Sequence, residues 1–219
     1  MRKRLLIALL LLLVLSTYNT NQNLDLLSKF QIKKIHFENN YLLSDSEVEN
    51  ILSFLYEKNL FSITNEDIKK KINNGTFIES FKIKKIYPNQ IKVKIFEKKP
   101  LVILQNKKKK FYYTNKGDLI SFVEKDNFKV LPVVFGDKKN FEFFYNELQA
   151  INFPFNMLES LYFFESQRWD LKTKKNQTIK LPIENYHKSL INFLDIKDKD
   201  NFAKYKIFDY RISNQLILK

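Results

Sequence analysis

Between Phe77 and Pro100 apolar and polar side chains alternate in two runs separated by a turn. In the second run Ile91, Val93 and Ile95 share one face and Lys92 and Lys94 the other, the period-2 signature of a half-buried antiparallel strand. In the first, Phe81 and Ile83 share a face but Ile86 has the opposite parity, which predicts a β-bulge near Lys84-Lys85. Tyr87-Pro88-Asn89-Gln90 reads as the turn, with Pro88 pre-set for its second position and Asn89 suited to an unusual backbone angle. Pro100 has no N–H for a ladder and ends the second strand. Upstream, Ile35 and Phe37 alternate with Lys34, His36 and Glu38 as a first strand, and Asn39-Asn40 turns the chain. Ser44 with Glu47 forms a capping box ahead of Val48, Ile51, Leu52 and Leu55 at helical spacing. Thr64 with Asp67 repeats the device before Ile68 and Ile72, and Gly75 stands where a left-handed C-cap belongs. The predicted order is strand, helix, helix, strand, strand.

Downstream the pattern changes. Phe141, Phe144, Tyr145 and Leu148 recur at helical spacing, as do Leu190, Ile191 and Leu194, so two helices are expected on one sheet. Leu161 to Phe164 reads as a strand, and Arg168 to Thr173 with Thr178 to Leu181 as a hairpin turning at Lys174 to Gln177. Trp169, the only tryptophan, is read as core packing in preference to a ligand platform. Lys206 to Leu218 reads as one last strand at a sheet edge, where unpaired backbone groups are open to a second chain.

The N-terminus differs from both halves. Arg2, Lys3 and Arg4 precede an unbroken apolar block from Leu5 to Leu15, extended by Ser16, Thr17 and Tyr18. As helix the block is roughly 17 to 21 Å long, short of a roughly 30 Å hydrocarbon core, which suits a secretory signal. No small-residue cleavage site follows, however, and Tyr18 suits a membrane interface. An uncleaved anchor, formed by Arg2, Lys3, Arg4, Leu5, Leu15 and Tyr18, is therefore the expectation, with a cleaved signal as the alternative. The charge bias predicts a cytoplasmic N-terminus and a periplasmic body.

Composition narrows the chemistry. The net charge is +14, yet of the 38 basic residues only Arg2, Arg4, Arg168 and Arg211 are arginine. Base-edge readout prefers arginine forks, so nucleic acid is not the expected partner. Lys107 to Lys110 reads as a solvated loop. With no cysteine, thiol redox and thiolate metal sites are excluded. His36 and His187 lie on a predicted strand and a predicted helix, and Gly75, Gly117 and Gly136 are isolated, so no triad, P-loop or dinucleotide fingerprint is legible. Asp195, Asp198 and Asp200 lack the glycine and terminal glutamate of a calcium loop and read as a solvated turn. No catalytic residue, cofactor, metal or small-molecule substrate is expected.

The strand-helix-helix-strand-strand order behind an N-terminal anchor, closed by Tyr87-Pro88 and Glu97-Lys98-Lys99-Pro100, resembles the POTRA domain of the FtsQ/DivIB family of bacterial division proteins. Tyr113 to Ile120, Leu131-Pro132-Val133-Val134-Phe135-Gly136, Arg168-Trp169-Asp170-Leu171 and Asp209-Tyr210-Arg211 are similar to segments of that family in the same order, over about residues 30 to 212. Asn39 stands for the usual glycine, Thr114 for an aspartate and Leu104 for a common tryptophan. The resemblance implies an inner-membrane scaffold of the septal divisome, whose distal sheet takes a strand from FtsB, held with FtsL, and whose POTRA domain meets other division proteins. It implies partner contacts at Arg211, Ile212, Asn214 and Leu216, with an Asp209–Arg211 pair inside the chain as the alternative. A POTRA-bearing periplasmic chaperone or envelope-assembly or secretion factor is the alternative.

The expected architecture is α+β. Residues 1–4 form a cytoplasmic tail, 5–18 a transmembrane helix, 19–29 a linker and 30–100 a β-α-α-β-β POTRA domain. Residues 101–219 form a second α+β domain with a mostly antiparallel sheet, two helices and a C-terminal edge strand.

Overall fold

The computed structural model describes residues 2–17, 28–72, 76–212 and 214–219. The chain after the N-terminal helix forms two compact units: Ile78–Glu97 joined with the chain before residue 73, and Lys98–Lys219 joined with Phe77.

Helix α1 (Arg2–Thr17) corrects the expected transmembrane helix. It has 16 residues, and no helix among the described residues is long and apolar enough to cross a membrane. At about 1.5 Å per residue it reaches about 24 Å. Three of its residues are the charges Arg2, Lys3 and Arg4, and its apolar block ends at Leu15, so the apolar stretch is shorter still. Tyr18 and Gly75 lie outside the described residues.

In the first unit β1 (Lys34–Glu38) leads to α2 (Asp45–Leu52), α3 (Asn65–Lys71), β2 (Ile78–Ile86) and β3 (Gln90–Glu97). Both predicted capping boxes form: Glu47 and Asp67 at N3 reach back to Ser44 and Thr64, satisfying backbone donors at each helix start. α2 buries Val48 and Leu52 and a following 3₁₀ turn buries Leu55, while Ile91, Val93 and Ile95 are buried on the inner face of β3. The sheet order is β1-β3-β2, with β1 parallel and β2 antiparallel to β3. The bulge lies between Ile78 and Ser80 instead of near Lys84-Lys85. Lys85 pairs with Ile91 on the inner parity and Ile86 with Gln90 on the outer, so the strand keeps its period to the turn with no kink. The left-handed backbone angle falls on Asn39, φ 66°, and Asn89 is not among the positive-φ residues. Pro100 opens the next strand, a position that needs no ladder donor.

The second unit also departs from the expected two-helix domain, although five of its eight strand joins are antiparallel. It is built on nine strands: β4 (Pro100–Asn106), β5 (Lys109–Thr114), β6 (Leu119–Ser121), β7 (Val133–Phe135), β8 (Leu158–Phe163), β9 (Trp169–Thr173), β10 (Thr178–Lys180), β11 (Ile207–Asp209) and β12 (Ile217–Leu218). They are ordered β12-β11-β10-β9-β8-β7-β4-β5-β6, and the joins β4–β7, β7–β8 and β10–β11 are parallel. Strands of two or three residues show too few positions for a period, which is why β7 and β12 were not legible as separate strands. Parallel joins need long crossovers, here carrying α4 (Lys138–Ala150) between β7 and β8, and α5 (Tyr186–Ile196) with the one-turn α6 (Asp200–Ala203) between β10 and β11. α4 buries Phe141, Phe144 and Leu148, and α5 buries Leu190, Phe193 and Ile196 against Leu161, Leu171 and Phe208 of the sheet. Ile191, counted in the apolar stripe, faces outward. Trp169 is buried and stacks on Phe144 at 4.6 Å and 14°.

Candidate functional site

Residues 206 to 218 are not one strand. β11 ends at Asp209, the chain turns through Asn214 at φ 59°, and β12 returns antiparallel to β11, pairing Phe208 with Leu218 and Asp209 with Ile217. β11 is therefore covered on both sides, by β10 and by β12, and the terminal strand of the sheet is β12. Only two residues long, β12 is a blunt template for further pairing, although among the described residues no strand lies beyond it.

Beside this margin lies a hollow of about 840 Å³. One wall is formed by Tyr210, Arg211, Ile212, Asn214, Gln215 and Leu216. The other is the Pro182–Asn185 loop with the first turns of α5, including Lys188 and Asn192 on one helix face. The parallel β10–β11 join brings the two walls together, because the crossover from β10 begins at that loop and ends where β11 leads into Tyr210. Asn185 turns the loop into the helix at φ 56°.

Arg211, Ile212, Asn214 and Leu216 all line the hollow, in different states. Arg211 is tied to its own chain: Nε donates to Asp209 Oδ1 at 2.8 Å, Nη2 to Oδ2 at 2.6 Å, and its backbone N–H to Oδ1 at 3.1 Å. The Asp209 side chain is nearly buried, while that of Arg211 is 44% exposed. The bonds from Arg211 hold the Asp209 carboxyl below the usual range, and Asp209 raises Arg211 in turn, so both remain charged. A guanidinium has five N–H donors, and this grip uses two of them. Ile212 and Asn214 are exposed, whereas Leu216 is partly buried and packed against the core.

Tyr210, Asn192 and Lys188 were not found by sequence reasoning. Tyr210 is buried and its hydroxyl donates to Asn192 Oδ1 at 2.9 Å, fastening the terminal segment to α5. Burial pushes its phenol well above the ordinary value, so it stays a donor. The only sequence signal was Tyr210 within Asp209-Tyr210-Arg211; that Asn192 lies opposite it depends on the crossover. Nearby, Asp170 accepts from Arg168 Nε at 3.3 Å, but burial outweighs that bond and raises its carboxyl.

The expected membrane-anchor residues Arg2, Lys3, Arg4, Leu5 and Leu15 lie on α1, away in sequence from this hollow. His36 pairs with Gln90 at 3.0 Å and His187 with Glu147 at 2.5 Å, and no group of three or more His, Asp or Glu side chains fit to hold a metal occurs among the described residues. Asp198 of the acidic turn is paired with Lys175 at 3.0 Å and with Lys197.

Residues 30–98 match the FtsQ-type POTRA domain. Beyond that domain, the chain is similar to the cell division protein FtsQ of Rickettsia bellii, 25% identical over 195 residues that cover 87% of this chain and 72% of that protein. FtsQ of Rickettsia typhi is 23% identical over the same share of this chain and 73% of its own length, and FtsQ of Agrobacterium fabrum 21% identical over 87% of this chain and 61% of its own. The chain therefore carries an FtsQ-type POTRA domain and is similar, across both of its units, to cell division proteins FtsQ.

Proposed function

We propose that the chain is a division-site scaffold, and that its distal sheet accepts an extended segment of FtsB, held with FtsL, along β12 and in the neighbouring hollow. One observation supports the reading: Arg211, Ile212, Asn214 and Leu216, separated from the Pro182–Asn185 loop by more than a helix, line a single concavity beside the terminal strand. A partner strand beside β12 would extend the ladder by β-augmentation. Because β12 is short, side chains seated in the hollow supply much of the recognition: Ile212 gives an exposed apolar contact, and the remaining Arg211 donors meet a partner carboxylate. The POTRA domain carries a second docking function for other division proteins. The mechanism is recruitment, with no bond made or broken.

The test is capture of the FtsB–FtsL pair by the full chain. Arg211→Glu and Ile212→Trp weaken capture by about tenfold or more, in the manner of central interface residues, with the circular dichroism spectrum unchanged. Unchanged capture in both variants overturns the docking assignment. A fluorescent fusion that stays evenly spread around the envelope during constriction overturns the scaffold reading itself. Recovery of diverse unfolded clients in place of division proteins would favour the chaperone alternative.

A further inference from the structure

The outer face of the POTRA sheet is a basic surface that its own fold neutralises only in part. The register sets Lys82 directly opposite Lys94 and Lys84 directly opposite Lys92, two like-charge pairs in adjacent rows. Like charges in such positions oppose strand pairing. β1 adds Lys34, His36 and Glu38 to the same face, since these alternate with the inward Ile35 and Phe37, and it sets Glu38 opposite Lys94. Glu38 is the one carboxylate that the β1 and β3 register places there. It takes Lys92 Nζ at 2.6 Å and is held below the usual carboxylate range by that bond, with Lys94 adding to the effect. Lys82 and Lys94 flank the Phe96 ring at 5.7 and 5.9 Å from its centroid. The four lysines and Glu38 rim a hollow of about 240 Å³ with Ile83 in its lining.

We propose that this face docks an acidic polypeptide segment of a partner protein, which deepens the reading above by assigning the POTRA docking function to one surface and one chemistry, and rests on that reading for its biological setting. Side chains on one face of a strand recur about every 6.8 Å, so alternate carboxylates of an extended segment match the spacing of Lys82 to Lys84 and of Lys94 to Lys92. The four cations are lysines, compact point charges without the fork that suits phosphodiesters, and Glu38 in their midst repels a polyanionic backbone. A concave lining fits protruding side chains better than the plane of a bilayer. The acidic segment removes the repulsion built into the two rows and so finds its affinity where the isolated sheet is under electrostatic stress.

The experiment uses the full chain and a fluorescent peptide of alternating glutamate and serine, read by anisotropy. Lys82→Glu with Lys94→Glu weakens binding by about tenfold or more, and the milder Lys84→Gln with Lys94→Gln by a smaller factor with no new charge introduced. Lys107→Glu with Lys108→Glu, on the turn between β4 and β5, changes it less than about threefold, and rising salt weakens binding to the parent chain. Equal losses in the two charge-reversal variants mean that bulk charge attracts the peptide, and overturn the proposal. So does the absence of binding, or binding to phosphatidylglycerol vesicles that depends on the same lysines while the peptide does not. The probe contains no division protein, so failure here leaves FtsB–FtsL capture and septal recruitment to be judged by their own tests.

Discussion

Glu97→Ala should loosen the POTRA loop after β1 by about 2 kcal/mol. The Glu97 carboxylate accepts three consecutive backbone N–H groups: Tyr41 to Oε2 at 2.9 Å, Leu42 to Oε1 at 3.0 Å and to Oε2 at 2.9 Å, and Leu43 to Oε1 at 2.9 Å. A hydrogen bond to a charged group contributes about 1.5–3 kcal/mol when its partners are dry. Tyr41 is 82% exposed, so water replaces its bond at little cost, whereas Leu43 is buried and its N–H, with that of Leu42, carries the loss. Two such bonds, halved for partial wetting, leave about 2 kcal/mol, or about thirtyfold in the opening equilibrium. Amide hydrogen exchange at Leu42 and Leu43 reads that equilibrium directly. Glu97→Gln keeps one acceptor oxygen and should lose about half as much. Exchange in Glu97→Ala within about threefold of the parent would refute the reasoning, since the loop would then be held by something other than this carboxylate.

Phe144→Ala removes a fully buried ring that stacks on Trp169 and lies 5.4 Å from Tyr186, and should cost about 3–5 kcal/mol, seen as a lower urea midpoint followed by Trp169 fluorescence. Asp209 has a folded pKa below its unfolded value of about 3.9, so the unfolded chain binds the extra proton. Its stabilisation is present above about pH 4 and is lost as pH falls through the folded value; Asp209→Asn should flatten that part of an acid unfolding profile. Asp170, raised by burial, has the opposite sign, its cost setting in as pH rises from the unfolded value through the folded one, so Asp170→Asn should remove a decline in stability over that range.

The POTRA half was legible because its signals are local. Capping boxes at Ser44 and Thr64 need four residues, and the Ile91-Val93-Ile95 face needs five. Where the reading failed there, at Lys84-Lys85, it assumed that every inward position is apolar; Lys85 takes an inward position half-buried. In the distal half the helices were visible as faces, but β7 and β12 are too short for any period, and the turn at Asn214 broke what looked like continuous alternation. The candidate hollow was half visible. Arg211, Ile212, Asn214 and Leu216 were chosen by resemblance, while the opposing wall with Asn192 exists only because β10 and β11 run parallel and force a crossover. The length of α1 was countable from the start, and an apolar block ending at Leu15 was the warning that the helix would fall short of a span.

Three residues act as the keystone of the distal sheet. β7 joins the β4-β5-β6 block on one side to the β8-through-β12 block on the other, parallel to both, and among the described residues no other strand connects them. Its flanks are stitched too, Ile103 N–H donating to the Pro132 carbonyl at 2.9 Å and Gly136 N–H to the Gln105 carbonyl at 3.1 Å. The β4-β5-β6 block can zip up from neighbouring segments, whereas the β7 seam, like the β10–β11 join, closes only when stretches separated by a crossover have met, a slow step in sheet formation. A proline at Val134 would thus remove the strand that carries tension between the two ribbons, leaving side-chain packing such as Tyr113 on Phe141 as their remaining tie.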